Sequence, residues 1–467
     1  MRMITTFICF VLAMSVWSQA DSTSVLSFSE YLGYVKKFHP IAKQAELTLA
    51  VGQANLMKAR GAFDPKIEFN NSRKRFKDDT YYDLLNTTFK IPTWYGIELK
   101  GQYEQNEGVY LNPQNNVPED GLYSAGISAS LGQGLWINKR MADLKKAKYF
   151  REQTEADREI LINQILYDAS VSYFNWLKAY RETLIYQQFL NNAEIRLNGV
   201  KRRVETGDKA AIDSIEARIT IRNRRLGLEQ SKVALMKASL ELSTFLWLND
   251  NIPVELQSGV IPDLSIDLQI DTVLEITDKT LEDFILETHP KLKSLNLKYQ
   301  GLEVDKRLKA NQLLPTIDVQ YNFLTETPDF SNSYNFNQYK AGIQINIPLF
   351  LRKERGELQL AKFKLQDLNF DINNTKVTIQ NKVIATYREL ESYTLQNKLI
   401  EDIVSDYDTM LSAEERKFSF GESSLFLVNT RERLLIESQL KAVKLQNDYL
   451  KTKAKLFNNL SRDLTNL

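Results

Sequence analysis

His39-Pro40 returns as His289-Pro290, and Pro65 returns as Pro315, both at an offset of 250 residues. Tyr123-Ser-Ala-Gly-Ile127 then matches Tyr339-Lys-Ala-Gly-Ile343 at an offset of 216. From Leu144–Lys148 against Leu358–Lys362, through Tyr173 and Tyr387, to Gly207 and Gly421, the offset holds at 214. A spacing kept over that distance marks a duplicated architecture whose period is far longer than a solenoid repeat. Copy one covers 21–248 and copy two 277–467, joined by the Pro- and Asp-bearing stretch 249–276. The fall in offset between Pro65 and Tyr123 gives copy one roughly 35 extra residues there, with the remainder in register.

Each copy reads as a helix, a β-hairpin and a very long pair of helices. Pro is absent from 119 to 252 and from 349 to 467, which removes the strongest helix breaker from both segments. Ile162, Ile165, Ala169, Tyr173, Trp176, Tyr180 and Leu184 recur at steps of three or four, as do Ile379, Val383, Tyr387 and Leu390. Such seams bury one side of a helix against other helices. They predict long helices over about 138–204 and 209–247 in copy one, and over about 352–418 and 423–460 in copy two. Gly207 and Gly421 tolerate positive φ and mark the tight turns between the members of each pair. The first long helix would extend about 100 Å at 1.5 Å per residue.

The hairpins, about 66–131 and 316–347, decide between solvents. Ile317-Asp-Val-Gln-Tyr-Asn-Phe323 and Ile343-Gln-Ile-Asn-Ile347 alternate apolar and polar residues, and Tyr123–Leu131 does the same. Period-two alternation places every apolar side chain on one face. A water-soluble hairpin with one bare apolar face is marginal, whereas around a pore the same pattern gives lipid outside and water inside. Asp318, Gln320, Asn322, Gln344 and Asn346 would then line the pore. Tyr81, Tyr82, Trp94, Tyr95, Tyr103, Tyr321, Phe323, Tyr334, Phe336 and Tyr339 crowd the strand segments, as headgroup-level aromatics do. Two hairpins supply four strands per chain, short of the roughly eight in the smallest single-chain barrels. Several copies must therefore pool their strands. The extra residues, 81–110, are expected to add a second hairpin turning at Thr93-Trp94 and lying outside the barrel.

Arg2, the apolar run Ile4–Val16 and Ser18-Gln19-Ala20 form an export signal over 1–20. Its removal takes with it Cys9, the single cysteine, so the mature chain needs no disulfide. Sixty basic against 59 acidic residues give a net charge of +1, which excludes an electrostatic case for nucleic acid. The two histidines, His39 and His289, each precede a proline at matching places and read as structural residues at helix starts. No phosphate loop, Cys pair or His-Glu-x-x-His helix is present. The expectation is a chain that is not an enzyme and uses no cofactor or metal.

Thr288-His-Pro290, its counterpart Phe38-His-Pro40, and the turns Arg203–Gly207 and Arg416–Gly421 occur in an order that resembles the TolC-like outer membrane efflux proteins. That resemblance covers the mature chain. It implies an α+β membrane protein with an internal two-fold repeat: a long α-helical barrel of coiled coils and a transmembrane β-barrel. The implied barrel is trimeric and twelve-stranded, with four strands per protomer. It also implies a homotrimer in the outer membrane of a Gram-negative bacterium, in contact with its lipid, with a helical tunnel across the periplasm and 249–276 as an equatorial segment. Such a protein is the passive exit duct of a tripartite efflux or secretion system. An inner-membrane pump of the RND or ABC type would deliver cargo through a periplasmic adaptor. The adaptor would dock at the helical turns, here Arg203, Gly207, Asp208, Phe418, Gly421 and Glu422. Gating carboxylates common in the family six and nine positions after the copy-two glycine are replaced by Leu427 and Thr430. The gate would then rest on Asp213, Glu216, Phe418 and Phe420. The competing reading of the same pattern is a secreted coiled-coil scaffold protein.

Overall fold

A computed structural model describes residues 24–257, 259–277, 281–329 and 335–461. The export signal over 1–20, Tyr334 and the last residues of copy two lie outside the described residues. The elements run β1 (Val25–Leu26), α1 (Phe28–Phe38), α2 (Pro40–Arg60), β2 (Lys66–Phe76), β3 (Asp79–Pro92), β4 (Ile97–Glu107), β5 (Leu122–Gly132), α3 (Lys139–Glu205) and α4 (Ala211–Ser243). After β6 (Ile261–Pro262) follow α5 (Pro290–Asn311), β7 (Thr316–Thr325), β8 (Tyr339–Asn346), α6 (Arg352–Phe420) and α7 (Leu425–Leu460). The chain divides into two compact units, one built from residues up to 45, 159–286 and 378 onward, the other from 46–158 and 287–377. The helices α2, α3 and α6 pass from one to the other.

The second unit holds a six-stranded antiparallel sheet in the order β2-β3-β4-β5-β7-β8. This corrects the expectation of four strands per chain. The extra residues of copy one do not lie outside the sheet: as β3 and β4 they are threaded between β2 and β5, which correspond to β7 and β8 of copy two. β3 pairs with β4 from Asp83↔Glu107 to Pro92↔Glu98, and β4 with β5 from Ile97↔Ala129 to Glu104↔Leu122. The physical reason is that the insert alternates like its neighbours. Leu85, Thr87, Phe89 and Ile91 fall on one side of β3, and Asn86, Thr88 and Lys90 on the other. Outside the sheet, an apolar face and two rows of backbone donors and acceptors would be left uncovered. The β2–β3 turn is two residues, Lys77 and Asp78, at φ of 52° and 63°, the conformation that matches the twist of a hairpin. The β3–β4 turn is closed by Thr93, whose N–H and hydroxyl donate to the Ile97 carbonyl at 2.8 and 2.7 Å.

The first unit is organised around aromatic side chains on α1 and α3. Phe28 and Tyr31 meet Tyr173 with ring centroids 5.2 and 5.5 Å apart, and Phe28 meets Phe174 at 5.0 Å. Buried Tyr173 donates its hydroxyl to the Leu26 carbonyl at 2.8 Å and accepts from Asp263 N–H at 3.1 Å. One phenol thus ties the start of the chain and the inter-repeat stretch to α3. Parallel pairing of β1 with β6, Val25 opposite Ile261, completes that link, and Lys453 of α7 reaches Asp271 of the same stretch at 2.8 Å. Desolvation pushes the Tyr173 hydroxyl well above the ordinary phenol range, so it stays a donor.

The two His-Pro motifs do the same job at helix starts. Nδ1 of His39 accepts from Ile41 N–H at 3.2 Å, and Nδ1 of His289 from Lys291 N–H at 3.1 Å. Each satisfies a backbone donor that the first helical turn leaves unpaired, while the following proline supplies a fixed φ. An accepting Nδ1 requires the neutral ring. His39 is buried against Phe245 and Trp247, and burial lowers its pKa, partly offset by a bond to the Thr244 carbonyl. The unfolded chain binds a proton near pH 6.5, so it holds more protons than the folded chain just below that pH. Stability from His39 is therefore complete above about pH 6.5 and is lost as pH falls towards the lowered folded value. Thermal unfolding followed at a series of pH values should show this loss, and His39→Asn, which keeps a capping acceptor, should remove that part of the dependence.

Candidate functional site

Register fixes which side chains of the sheet share a face. Tyr339, Phe323, Ala125, Gly101, Phe89 and Ile67 form one row across all six strands. The neighbouring row on that face runs Ala341, Tyr321, Ile127, Leu99 and Ile91. Ile67, Phe69, Phe89, Leu99, Ile127, Ile343 and Ile345 are exposed on it. Aromatic pairs sit towards one end: Tyr103–Tyr123 at 4.7 Å, Tyr321–Tyr339 stacked at 5.4 Å and Phe323–Phe336 at 5.5 Å. At the opposite strand ends Trp136 is 80% exposed, and Tyr95 and Phe350 are exposed too. An apolar band with aromatics at both margins is the surface a barrel presents to lipid.

The other face carries Asp318, Gln320, Asn322, Gln344 and Asn346 together. Asp318 lies opposite Gln344, and Asn322 opposite Lys340. The same face continues onto the insert with Glu98, Lys100 and Gln102 on β4 and Thr88 and Lys90 on β3, and beyond it to Lys66 and Glu68 on β2. This face is concave. Nζ of Lys340 lies 4.0 Å from Glu104, although β5 and β7 stand between their strands; on a flat sheet three strand spacings would hold the backbones about 14 Å apart. A recess of about 800 Å³ opens at its helix-side end, lined by Glu98, Lys100, Arg140, Asp318, Gln320 and Gln344. There Arg140 Nη1 bonds Glu98 at 2.7 Å. The sequence reading named the five polar residues on β7 and β8 but missed the charged ones on the insert, because it had set those strands apart from the sheet.

In the first unit the two helical turns share one geometry. Gly207 and Gly421 have φ of +84° and +81°. Asp208 N–H donates to the Arg203 carbonyl at 2.8 Å, and Glu422 N–H to the Lys417 carbonyl at 2.9 Å. These bonds satisfy carbonyls that a helix end leaves unpaired, and the positive φ they need favours glycine. Arg203 joins the turns: its Nη1 and Nη2 donate to the Phe418 and Ser419 carbonyls at 3.4 and 3.5 Å, with the guanidinium 5.6 Å from the Phe418 ring centre. Lys209 Nζ approaches the same ring at 5.0 Å. The two candidate phenylalanines part company. Phe418 packs against Val200, Ala217 and Leu425, whereas Phe420 is 75% exposed. Glu216 accepts from Asn429 at 2.9 Å, linking α4 to α7. Asp213 is half-buried in the first turn of α4, and Glu422 and Asp208 are exposed.

One group here escaped the sequence reading. Glu432 of α7 is 0% exposed, and its two oxygens take Arg196 of α3 at 3.1 Å and Arg224 of α4 at 3.2 Å. Arg196 also reaches Glu415 of α6 at 2.7 Å. Three helices meet at one carboxylate, and Arg196 brings in the fourth. A lone Glu in a helix full of polar residues carries no periodic signal that would single it out.

Residues 283–461 match the model of the outer membrane efflux protein family. No curated protein matches the chain in sequence. In fold it is similar to the open-state MtrE outer membrane channel of Neisseria gonorrhoeae, with TM-score 0.67 and 13% identity over 96% of this chain and 93% of that one. It is likewise similar to CusC, with TM-score 0.66 and 14% identity over 96% and 95%. The CmeC outer membrane channel of Campylobacter jejuni gives TM-score 0.63 and 13% identity over 93% and 85%.

Removing the shared carboxylate would leave the Arg224 guanidinium without an ion-pair partner among the described residues and Arg196 with Glu415 alone. Glu432→Ala should therefore destabilise this part of the bundle by about 3–5 kcal/mol. The measurement is hydrogen exchange: amides of 211–243 and 425–460 should exchange faster than in the parent. Replacing Arg196, Arg224 and Glu432 together by apolar residues of similar volume should restore much of the protection.

Proposed function

We propose, from the premise that this chain is one of the outer membrane efflux proteins, that it is a passive exit duct whose barrel is closed by three copies pooling their sheets. The observation that carries this reading is the six-stranded sheet with one apolar face, one polar concave face, and free edges at β2 and β8. An edge of unpaired N–H and C=O groups cannot face hydrocarbon, so β8 of one copy pairs with β2 of the next. Strands of 8 to 14 residues suit a bilayer, which needs about 9–11. Three copies give eighteen strands in place of the twelve expected from four per chain. Barrels of about 16–18 strands leave an aqueous channel.

In this assembly α3, α4, α6 and α7 build a periplasmic tunnel, and the stretch 249–276 lies at its girth with α1 and the end of α7. The turns at Gly207 and Gly421 form its inner end. There Arg203, Asp208 and Glu422 meet an adaptor, which in turn joins an inner-membrane pump of the RND or ABC type. Phe420 and Asp213 serve in the constriction, supported by the Phe418 clamp and the Glu216–Asn429 bond. Opening is a shift between two packings of these helices, and the pump supplies the energy. Nothing in the duct has to react with its cargo, so its work is done by a wet lining and a reversible closure. A secreted scaffold would have to leave the exposed apolar rows of the sheet in water, which favours association or aggregation.

Because Cys9, the single cysteine, lies in the segment read as the export signal, introduced thiols report cleanly. Asn70→Cys on β2 combined with Gln344→Cys on β8, treated in outer membranes with a short bis-maleimide, should give a ladder of products that ends at three chains. A ladder ending at another number would overturn the trimer. A product that stays monomeric and washes off the membranes in carbonate would overturn the duct.

A further inference from the structure

One register row of the concave face is unlike the rest. It runs Lys66, Lys90, Lys100, Gly126, Asn322 and Lys340 across the six strands. Three lysines stand directly opposite one another on β2, β3 and β4, and Gly126 puts no side chain between Lys100 and Asn322. Like charges opposed across strands destabilise a sheet, so the arrangement calls for a compensating charge. The protein provides part of it. Lys90 Nζ bonds Glu68 at 2.5 Å, and Lys340 is 4.0 Å from Glu104. Glu98, the acid one row nearer the helices, is occupied by Arg140 at 2.7 Å. Asp318 lies two rows towards the helices from Asn322 and makes no ion pair among the described residues. Lys66 and Lys100 have no carboxylate within 4.0 Å among the described residues.

We infer that this row is an anion-binding belt inside the barrel, and that the duct favours negatively charged cargo, such as carboxylated or phosphorylated small molecules. The inference rests on the proposed closed barrel, where each copy contributes its own arc of lysines to the lumen. Within a low-dielectric wall, a row of one sign focuses its field into the lumen and raises the local concentration of counter-ions. Mobile anions then supply the charge that Glu68, shared among Lys66, Lys90 and Lys100, leaves unmet. Rings of charged side chains set ion preference in other pores by the same means.

The test is a planar bilayer holding the purified trimer across a steep KCl gradient. The reversal potential should lie on the chloride side. Lys66→Gln, Lys90→Gln and Lys100→Gln together should lower the chloride-to-potassium permeability ratio by about twofold or more. The corresponding triple replacement by arginine should keep the ratio and shows that the sheet tolerates change at these positions. Citrate, a trivalent anion, should block the parent current and lose potency against the glutamine variant. A parent channel that prefers potassium, or a glutamine triple with unchanged ratio, would overturn the belt while leaving the duct intact. A parent trimer with no conductance at all would overturn the duct and the belt with it.

Discussion

A backbone N–H or C=O has to find a partner wherever water is absent, and this requirement organises the strand-bearing part of the chain. The sheet is apolar on one side and polar on the other, so it belongs at a boundary between oil and water. Five ladders satisfy the interior strands, but among the described residues β2 and β8 each keep one unpaired edge. In the assembly proposed above further copies cover those edges, and the side that curls inward is the one carrying Glu104 and Lys340.

The helical part obeys a different rule. Its long helices carry narrow apolar seams and otherwise polar surfaces, so their alignment depends on a few specific ties. Tyr173 joins three segments with one hydroxyl. Arg203 spans the two glycine turns. These ties bring equivalent parts of the two copies together, Gly207 beside Gly421 and α4 beside α7, which is the arrangement a duplicated chain needs if its halves are to form one layer of helices.

Much of this was legible in the residues themselves. Offsets of 250 and 214 located two copies, and Gly207 and Gly421 stand at turns because only a residue tolerant of positive φ ends a helix in that way. The alternation in 317–323 and 343–347 separated the two faces of β7 and β8. The insert was misjudged for a physical reason. Its turn at Lys77-Asp78 lacks the usual Asn-Gly or Gly signature, and its polar face bears lysine and glutamate, which by composition read as surface loop. Only the register shows that these charges lie level with Asn322. Partners far apart in sequence, such as Arg196 with Glu432, were invisible for a simpler reason: helical periodicity says which side of a helix is buried and nothing about which charge waits there.

The carboxylate held by two arginines also limits how such a sequence can drift. Loss of Glu432 strands the charge of Arg224, whereas either arginine alone still leaves the buried carboxylate a partner, and replacing all three by apolar residues strands nothing. A genotype that loses Glu432 first is therefore less stable than either end, and the carboxylate should be kept between descendants for as long as Arg224 is. Divergence of the bundle is free to proceed around it, residue by residue, on the wet faces of the same helices.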